Sequence, residues 1–371
     1  MADPGASAPS SFTVNYDSLL STTLFGIRPK MVDNIFRSSA FMAALRQYGG
    51  VDYQDGGERI QSLLMYEGND TFRSYSGYDQ LIIKPQDGMT SAFFDWREIG
   101  GSITISRLEE RQNSGEAQIL NLLQQKIKQA EMSIKQKVNA DLVQGEVSTA
   151  TFVPVTEPVN GSFGLNPIGY FLPKNNNADP LAGGNVGNIS RATYAWWRPH
   201  TAVLDNATKD TGNSFALDVT SYTGLRVALY RMYNYCSRGA DGSAPNIILT
   251  NQETFETYEN SLDQQKRYQD ESLTTMGFDN VKVKGATIVW DELVPDIDLG
   301  TTALTDGSAF FINTNFYKLV IDKQTDFITT PFVEPENQTA KSAKVLFMGN
   351  TIVTNPRKLG QCCAIALNIT S

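Results

Sequence analysis

Apolar residues recur at Ile119, Leu123, Ile127, Ala130, Ile134, Val138 and Leu142, every third or fourth position. That spacing lines one face of a helix and is the clearest pattern in the chain. Asn113, with Glu116 three residues on, makes a capping-box-like start, and Gly145 supplies a stop. A helix of about 32 residues would span roughly 48 Å. It offers only about four heptads, and Gln and Lys crowd its flanks. The spacing therefore predicts a long helix lying across a flat body rather than a coiled-coil strand.

The pattern changes on either side of this helix. Residues 1–50 read as an arm, with a short helix over Asp33–Tyr48 ended by Gly49-Gly50. Residues 51–110 alternate strand-like pieces with turn signals, ending in the strict alternation Ser102-Ile103-Thr104-Ile105-Ser106. Charges are many there and long apolar blocks few, which predicts long hairpins projecting from a body. Residues 111–217 hold the helix and then a Gly-, Pro- and Asn-rich stretch. Residues 218–320 read as a compact α/β unit: helix, apolar strand Asn246–Thr250, second helix, then the strands VKVKG, ATIVWDE and AFFINT. Residues 321–371 give two or three closing strands. No repeat of fixed period is visible.

The chain has 371 residues, 41% of them hydrophobic, enough for a sizeable core. Forty acids against 31 bases give a net charge of -9, and no basic domain of the kind that grips phosphates stands out. No apolar run approaches the ~20 residues of a membrane helix, and the first residues lack the basic start and apolar stretch of a signal peptide. Three cysteines, Cys236, Cys362 and Cys363, are too few for a disulfide scaffold and point to a reducing compartment. In the strand QCCAIALNI one thiol of the adjacent pair is expected to face inward and the other outward.

Candidate chemistry is thin. There is no GxxxxGK[ST], and Gly183-Gly184-Asn185-Val186-Gly187 lacks the Lys and the helix that a phosphate loop needs. His200 is the single histidine, follows Pro199, and has no nucleophile elbow to serve, so it reads as a surface or loop residue. One histidine without CxxC argues against zinc. Asp291, Glu292, Asp296, Asp298 and Asp306 do not match a calcium-loop spacing and read as an exposed acidic loop. No catalytic residue, cofactor or metal site is therefore expected, which shifts the reading toward a structural protein. The segment GGNVGNISRATYAWWRPH leaves a question, because Trp196 and Trp197 suit either a ligand pocket or a packing joint.

The order of segments resembles the major capsid proteins of tailed double-stranded DNA bacteriophages. The likeness lies in GGNVGNISRATYAWWRP, APNIILTNQETFETYE, VKVKGATIVWDELVP followed by AFFINTNFYKLVI, and LFMGNTIVTNPRKLGQCCAI, in that order over nearly the whole chain. The resemblance implies an α+β tailed-phage major capsid fold. Its parts would be an N-terminal arm (1–50), an extended hairpin loop (51–110), a spine helix with the peripheral domain (111–217), an axial domain (218–320) and a peripheral return (321–371). It implies pentamers and hexamers closing an icosahedral shell around a phage genome, in a virion assembled in the bacterial cytoplasm. An encapsulin-like compartment or another virion structural protein is the alternative, and an enzyme centred on 218–320 the more distant rival. Partners would be further copies, a scaffolding protein, a portal, a decoration protein, and packaged DNA by non-specific contact, with no membrane. Glu58, Arg59, Arg73, Lys84, Asp95 and Arg97 are the candidate inter-subunit contacts, and Trp196 and Trp197 the packing anchors. Some relatives weld a loop lysine to a neighbour's asparagine; Lys84 is the sole lysine between Lys30 and Lys126, with Asn350 and Asn355 as candidate acceptors.

Overall fold

The computed structural model describes residues 40–112, 122–145, 164–172, 185–206, 214–219, 221–239, 241–262, 281–294, 307–335 and 339–365. The expected arm therefore lies outside the described residues up to 39, as do the Asn113–Glu116 cap, Ile119, and Asp296, Asp298 and Asp306 of the acidic stretch.

Helix α1 (Ala40–Gln47) buries Phe41, Ala44 and Leu45. It stops at Gly49, whose φ of 69° is a left-handed cap, and the Gly50 N–H donates to the Leu45 carbonyl at 2.7 Å. Strand β1 (Val51–Gln54) leads to the hairpin β2 (Ile60–Met65) and β3 (Met89–Phe94), then to β4 (Arg97–Ser106) and the short helix α2 (Arg107–Gln112). Helix α3 (Leu122–Val143) is the described part of the long helix, and Gly145, at φ 80°, ends it. Its apolar stripe does face the body. Ile134, Val138 and Leu142 are buried, and Ile127 and Ala130 pack partly buried against the same core.

After the short helix α4 (Ile168–Phe171) comes a small hairpin, β5 (Asn185–Val186) and β6 (Ile189–Ser190), then β7 (His200–Val203), β8 (Asp205–Asn206) and β9 (Phe215–Asp218). Helix α5 (Tyr222–Cys236) is capped by the Ser221 hydroxyl, which accepts from Gly224 N–H. Strand β10 (Ile247–Thr250) enters α6 (Gln252–Ser261), capped by Asn251. The remaining strands are β11 (Val281–Val283), β12 (Ala286–Trp290), β13 (Gly307–Ile312), β14 (Tyr317–Asp322), β15 (Ile328–Thr329), β16 (Ala340–Val353) and β17 (Gly360–Ile365).

Two sheets organise these strands. One has β1, β14, β16 and β15 in that order, with β4 pairing along β16 over ten residues from Ser106–Ala340 to Arg97–Gly349. The other runs β11-β12-β10-β13-β17-β7-β9-β8. The unit expected over 218–320 is thus completed by strands from outside it, β7 and β17, while β14 from its end joins the other sheet. Local pattern identifies a strand but not its partner across 150 residues. Likewise β1 and β4 do not project with the hairpin. Their apolar residues, Ile99, Ile103 and Ile105 among them, are taken into the body.

The eight-stranded sheet is buried on both faces. Ile247, Leu249, Phe310, Ile312 and Cys363 point to one core, shared with α1, α3 and the other sheet. Ile248, Ala309, Phe311 and Cys362 point to a second core under α5 and α6. Neither adjacent thiol faces solvent, which corrects the expectation for Cys362 and Cys363, because both faces of their strand are covered.

Asp291 also departs from the exposed-loop reading. It is 2% exposed and accepts from Asn139 Nδ2 of α3 at 3.2 Å and from the Leu293 N–H at 3.0 Å, with a further backbone hydrogen bond from Phe41 of α1. One carboxylate ties two helices to the end of β12. Burial pushes its pKa up, and these hydrogen bonds pull it back. Asp291→Ala should lower unfolding free energy by about 3 kcal/mol, since three buried donors lose their acceptor. An exposed-loop acid would cost within about 0.5 kcal/mol. Chemical denaturation of the unassembled chain decides between them.

Candidate assembly surface

The β2–β3 hairpin has two unlike faces. Ile60, Leu64, Ala92 and Phe94 alternate inward and join the first core. Leu63 and Met65 alternate outward at 84% and 77% exposure, and Met89 lies opposite Met65. The connecting residues 66–88 carry Phe72, Tyr75, Tyr78, Leu81, Ile82 and Ile83, all exposed, Ile83 completely. A folded chain leaves few large apolar groups together in water, so this many in one hairpin suit a contact surface.

The base of the hairpin is strapped to the body. Tyr66 stacks on Trp196 with ring centroids 5.4 Å apart, and its hydroxyl donates to the Asp87 carbonyl at 2.7 Å. Trp96 Nε1 donates to the Gly57 carbonyl, and Phe93 N–H to the Gly187 carbonyl. Gly187 and Asn188, at φ 61° and 66°, form the tight turn of the β5–β6 hairpin. A Cβ on Gly187 would stand 2.9 Å from both Ala92 and the Phe94 ring, so this close approach requires glycine. The turn at Gly187-Asn188 is thus a docking turn for β3.

The two tryptophans divide the work. Trp197 is fully buried, its Nε1 donating to the Val186 carbonyl at 2.9 Å. Trp196 is half-buried between Tyr66 and Trp197. Both serve packing at the hairpin's foot.

The candidate contact charges separate as well. Arg59 Nε and Asp95 Oδ1 pair with each other at 3.2 Å across the hairpin base, and both side chains remain more than half exposed. Arg73 donates to the Gln80 carbonyl within the loop. Glu58 and Lys84 are exposed, and Arg97 is half-buried beside Asn350 in a polar cavity of about 240 Å³. Asn350 is buried. Its Nδ2 donates to the Asp95 carbonyl at 2.7 Å, and its Oδ1 accepts from Asn166 N–H and Thr351 N–H. Its amide is thus hydrogen-bonded within the chain. Asn355 is half-buried at the start of a 3₁₀ turn.

Among the described residues, the titratable groups lining the two cavities do not converge as a catalytic site would require. A cavity of about 440 Å³ between α3 and β4 is lined by backbone glycines, aliphatic side chains, Gln129, Ser133, Lys126 and Lys137, without a nucleophile–base pair. Both lysines are engaged, Lys126 with Glu109 at 2.8 Å and Lys137 with Asp141 at 2.7 Å. Among the described residues no cluster of His, Cys, Asp and Glu could hold a metal, and no helix is long and apolar enough to cross a membrane. His200 is not the surface residue expected. It lies half-buried on β7, bonded through Nδ1 to Ser214 Oγ at 2.8 Å. Burial lowers its pKa to about 4, and the charges of Arg357 and Arg238 add to that.

No family model and no curated protein matches the sequence. Solved structures do match over nearly the whole chain. The capsid asymmetric unit of cyanophage A-1(L) superposes with a TM-score of 0.62 at 15% identity, covering 92% of this chain and 97% of that one. The capsid of an empty GTA particle gives 0.56 at 11%, covering 97% and 100%. The chain has the tailed-phage major capsid protein fold. The holo-SrpI encapsulin complex of Synechococcus elongatus PCC 7942 gives 0.51 at 7%, covering 96% and 97%. The same fold thus matches a phage shell and an encapsulin, and the cyanophage A-1(L) match is stronger than the encapsulin one.

Within this capsid fold His200 gives a pH test. Above pH 6.5 the histidine is neutral in both folded and unfolded chains. As pH falls from 6.5 to about 4, the unfolded chain takes up a proton that the folded site excludes, so stability is lost through that window and levels off below it. The full effect is about 3 kcal/mol before discounting for residual solvent contact. His200→Gln should gain on the parent by a progressively larger margin as denaturation is repeated from pH 7 to pH 4.

Proposed function

We propose that the protein is the major capsid protein of a tailed phage and that its activity is assembly. Copies associate as pentamers and hexamers into a closed shell around double-stranded DNA. The observation that carries this is the hairpin: a strapped base, an inward face in the core, and a set of outward apolar side chains left exposed among the described residues. Fully burying one large apolar side chain is worth about 1.5–3 kcal/mol. The exposed set from Leu63 to Met89 therefore supplies ample drive for contact with a second copy. A shell repeats that contact many times, so each can stay weak and reversible during growth.

The net charge of -9 suits a wall that stands beside packed DNA without gripping it, leaving DNA contact sparse and independent of sequence. A separate scaffolding protein, a portal and a decoration protein belong to this reading as partners, with the virion capsid as location and the host cytoplasm as the place of assembly. No catalytic role is assigned. The domain scheme of arm, extended loop, spine helix, peripheral domain and axial domain belongs here too. The five-stranded sheet with α3 stands as peripheral, and the eight-stranded sheet with α5 and α6 as axial.

Electron microscopy of the purified chain, alone and co-expressed with its neighbouring genes, should show capsomer rings or closed shells. A persistent monomer in both samples would refute the reading. Replacing residues 67–87 by an Asn-Gly turn keeps Tyr66 and Gly88, which already bond at 3.0 Å, and keeps every inward residue of β2 and β3. That variant should fold with an unchanged melting midpoint and fail to close shells. Normal shells from it would remove the hairpin from the mechanism.

A further inference from the structure

Helices α5 and α6 lie side by side over one face of the eight-stranded sheet and carry opposite charge. Over Tyr222–Cys236, α5 holds Arg226 and Arg231 and no carboxylate, and Arg238 follows just past its end. Over Gln252–Ser261, α6 holds Glu253, Glu256 and Glu259 and no cation.

The charges sit on different sides of this layer. Tyr230 of α5 lies beside Tyr258 of α6, so that flank of α5 faces its neighbour. The opposite flank presents Tyr235, stacked on Phe215 of β9 at 5.7 Å and 5.6 Å from His200 of β7. Arg231 lies over the Phe215 ring at 5.6 Å and Arg238 over the Tyr235 ring at 3.9 Å. Exposed Arg357 acts on the same His200. None of the ion pairs among the described residues involves Arg231, Arg238 or Arg357. Aromatic rings thus hold guanidinium groups in place without neutralising them. On α6 the buried residues are Thr254, Phe255, Thr257, Tyr258 and Ser261, while Glu253 and Glu256 point outward.

A ring of identical subunits needs two different patches on one chain that fit each other head to tail. These two surfaces meet that requirement, a seated cationic flank at one side of the layer and an acidic helix at the other. Nucleic acid is the weaker occupant. The Phe215 and Tyr235 rings are already covered by cations and stacked on each other, which leaves no free platform for bases. We propose that the Arg231, Arg238 and Arg357 flank of α5 receives the outward Glu253 and Glu256 of α6 from the next copy around a ring. This contact rests on the shell reading above and gives the ring its direction.

Charge reversal in pairs tests it. Arg231→Glu with Arg238→Glu, and separately Glu253→Lys with Glu256→Lys, should each cut the assembled fraction at low salt by at least about tenfold while leaving the melting midpoint in place. The combined four-site variant should recover assembly to within about twofold of the parent. Should a reversal variant fold poorly, the Gln versions at the same sites replace it, and their assembly should lose the salt dependence of the parent. Normal rings from either reversal would overturn the proposal and leave the shell reading standing. So would a folded four-site variant that fails to recover. Reversal of the α5 flank that spares assembly but abolishes oligonucleotide retention would overturn it in favour of a nucleic-acid surface. A parent chain that forms neither rings nor shells would overturn the shell reading and this contact together.

Discussion

The eight-stranded sheet is covered on both faces, and most other features follow from that constraint. A strand sends successive side chains to opposite faces. In β10, Ile247 and Leu249 therefore enter one core and Ile248 the other. In β13, Ala309 and Phe311 oppose Phe310 and Ile312 in the same way. A slip of one residue would exchange the two cores, whose shapes differ, so the register is held by packing on both sides. This is why the sheet can recruit β7 and β17 from distant parts of the chain. Each brings one side chain to each core, as Ala202 and Val203 do, and Cys362 and Cys363.

Polar groups that resemble a site in the sequence are absorbed by the joints between these layers. Asp291 ties α1 and α3 to the sheet. Asn350 ties the hairpin base to residues 166 and 351. Lys358, 2% exposed, pairs with Asp241 at 2.7 Å and donates to the Ser243 carbonyl, which holds down the glycine-rich turn after α5. A buried polar group without partners is costly, so groups like these are satisfied inside the fold and unavailable for chemistry. The result is a body that is rigid where layers meet, with its unsatisfied apolar surface concentrated in one projecting hairpin.

That hairpin inverts the logic of the body. Its inward residues obey the core, while its outward residues, Leu63, Met65 and the stretch to Ile83, would be a liability in a monomer. Strong straps at its base, Tyr66 on Trp196 and Arg59 on Asp95, leave the tip free to reach while fixing where it starts. On the proposed reading, function lies in surfaces that meet between copies.

Local order was legible in the sequence. The period of the apolar stripe on α3, the alternation in β4, and the glycine stops at Gly49 and Gly145 follow from short-range sterics and the twofold or 3.6-fold geometry of the backbone. Pairing across long distances was decided only by the tertiary structure. The sequence does not say that β4 lies along β16, that both cysteines of a surface-looking strand are covered, or that Asp291 and His200 leave solvent. Nor does it say that Arg59 and Asp95 pair with each other. The physical reason is common to all of these. Periodicity shows which face of an element is apolar, but burial is a property of what packs against that face, and the packing partners can be as far apart along the chain as Phe41 and Tyr317.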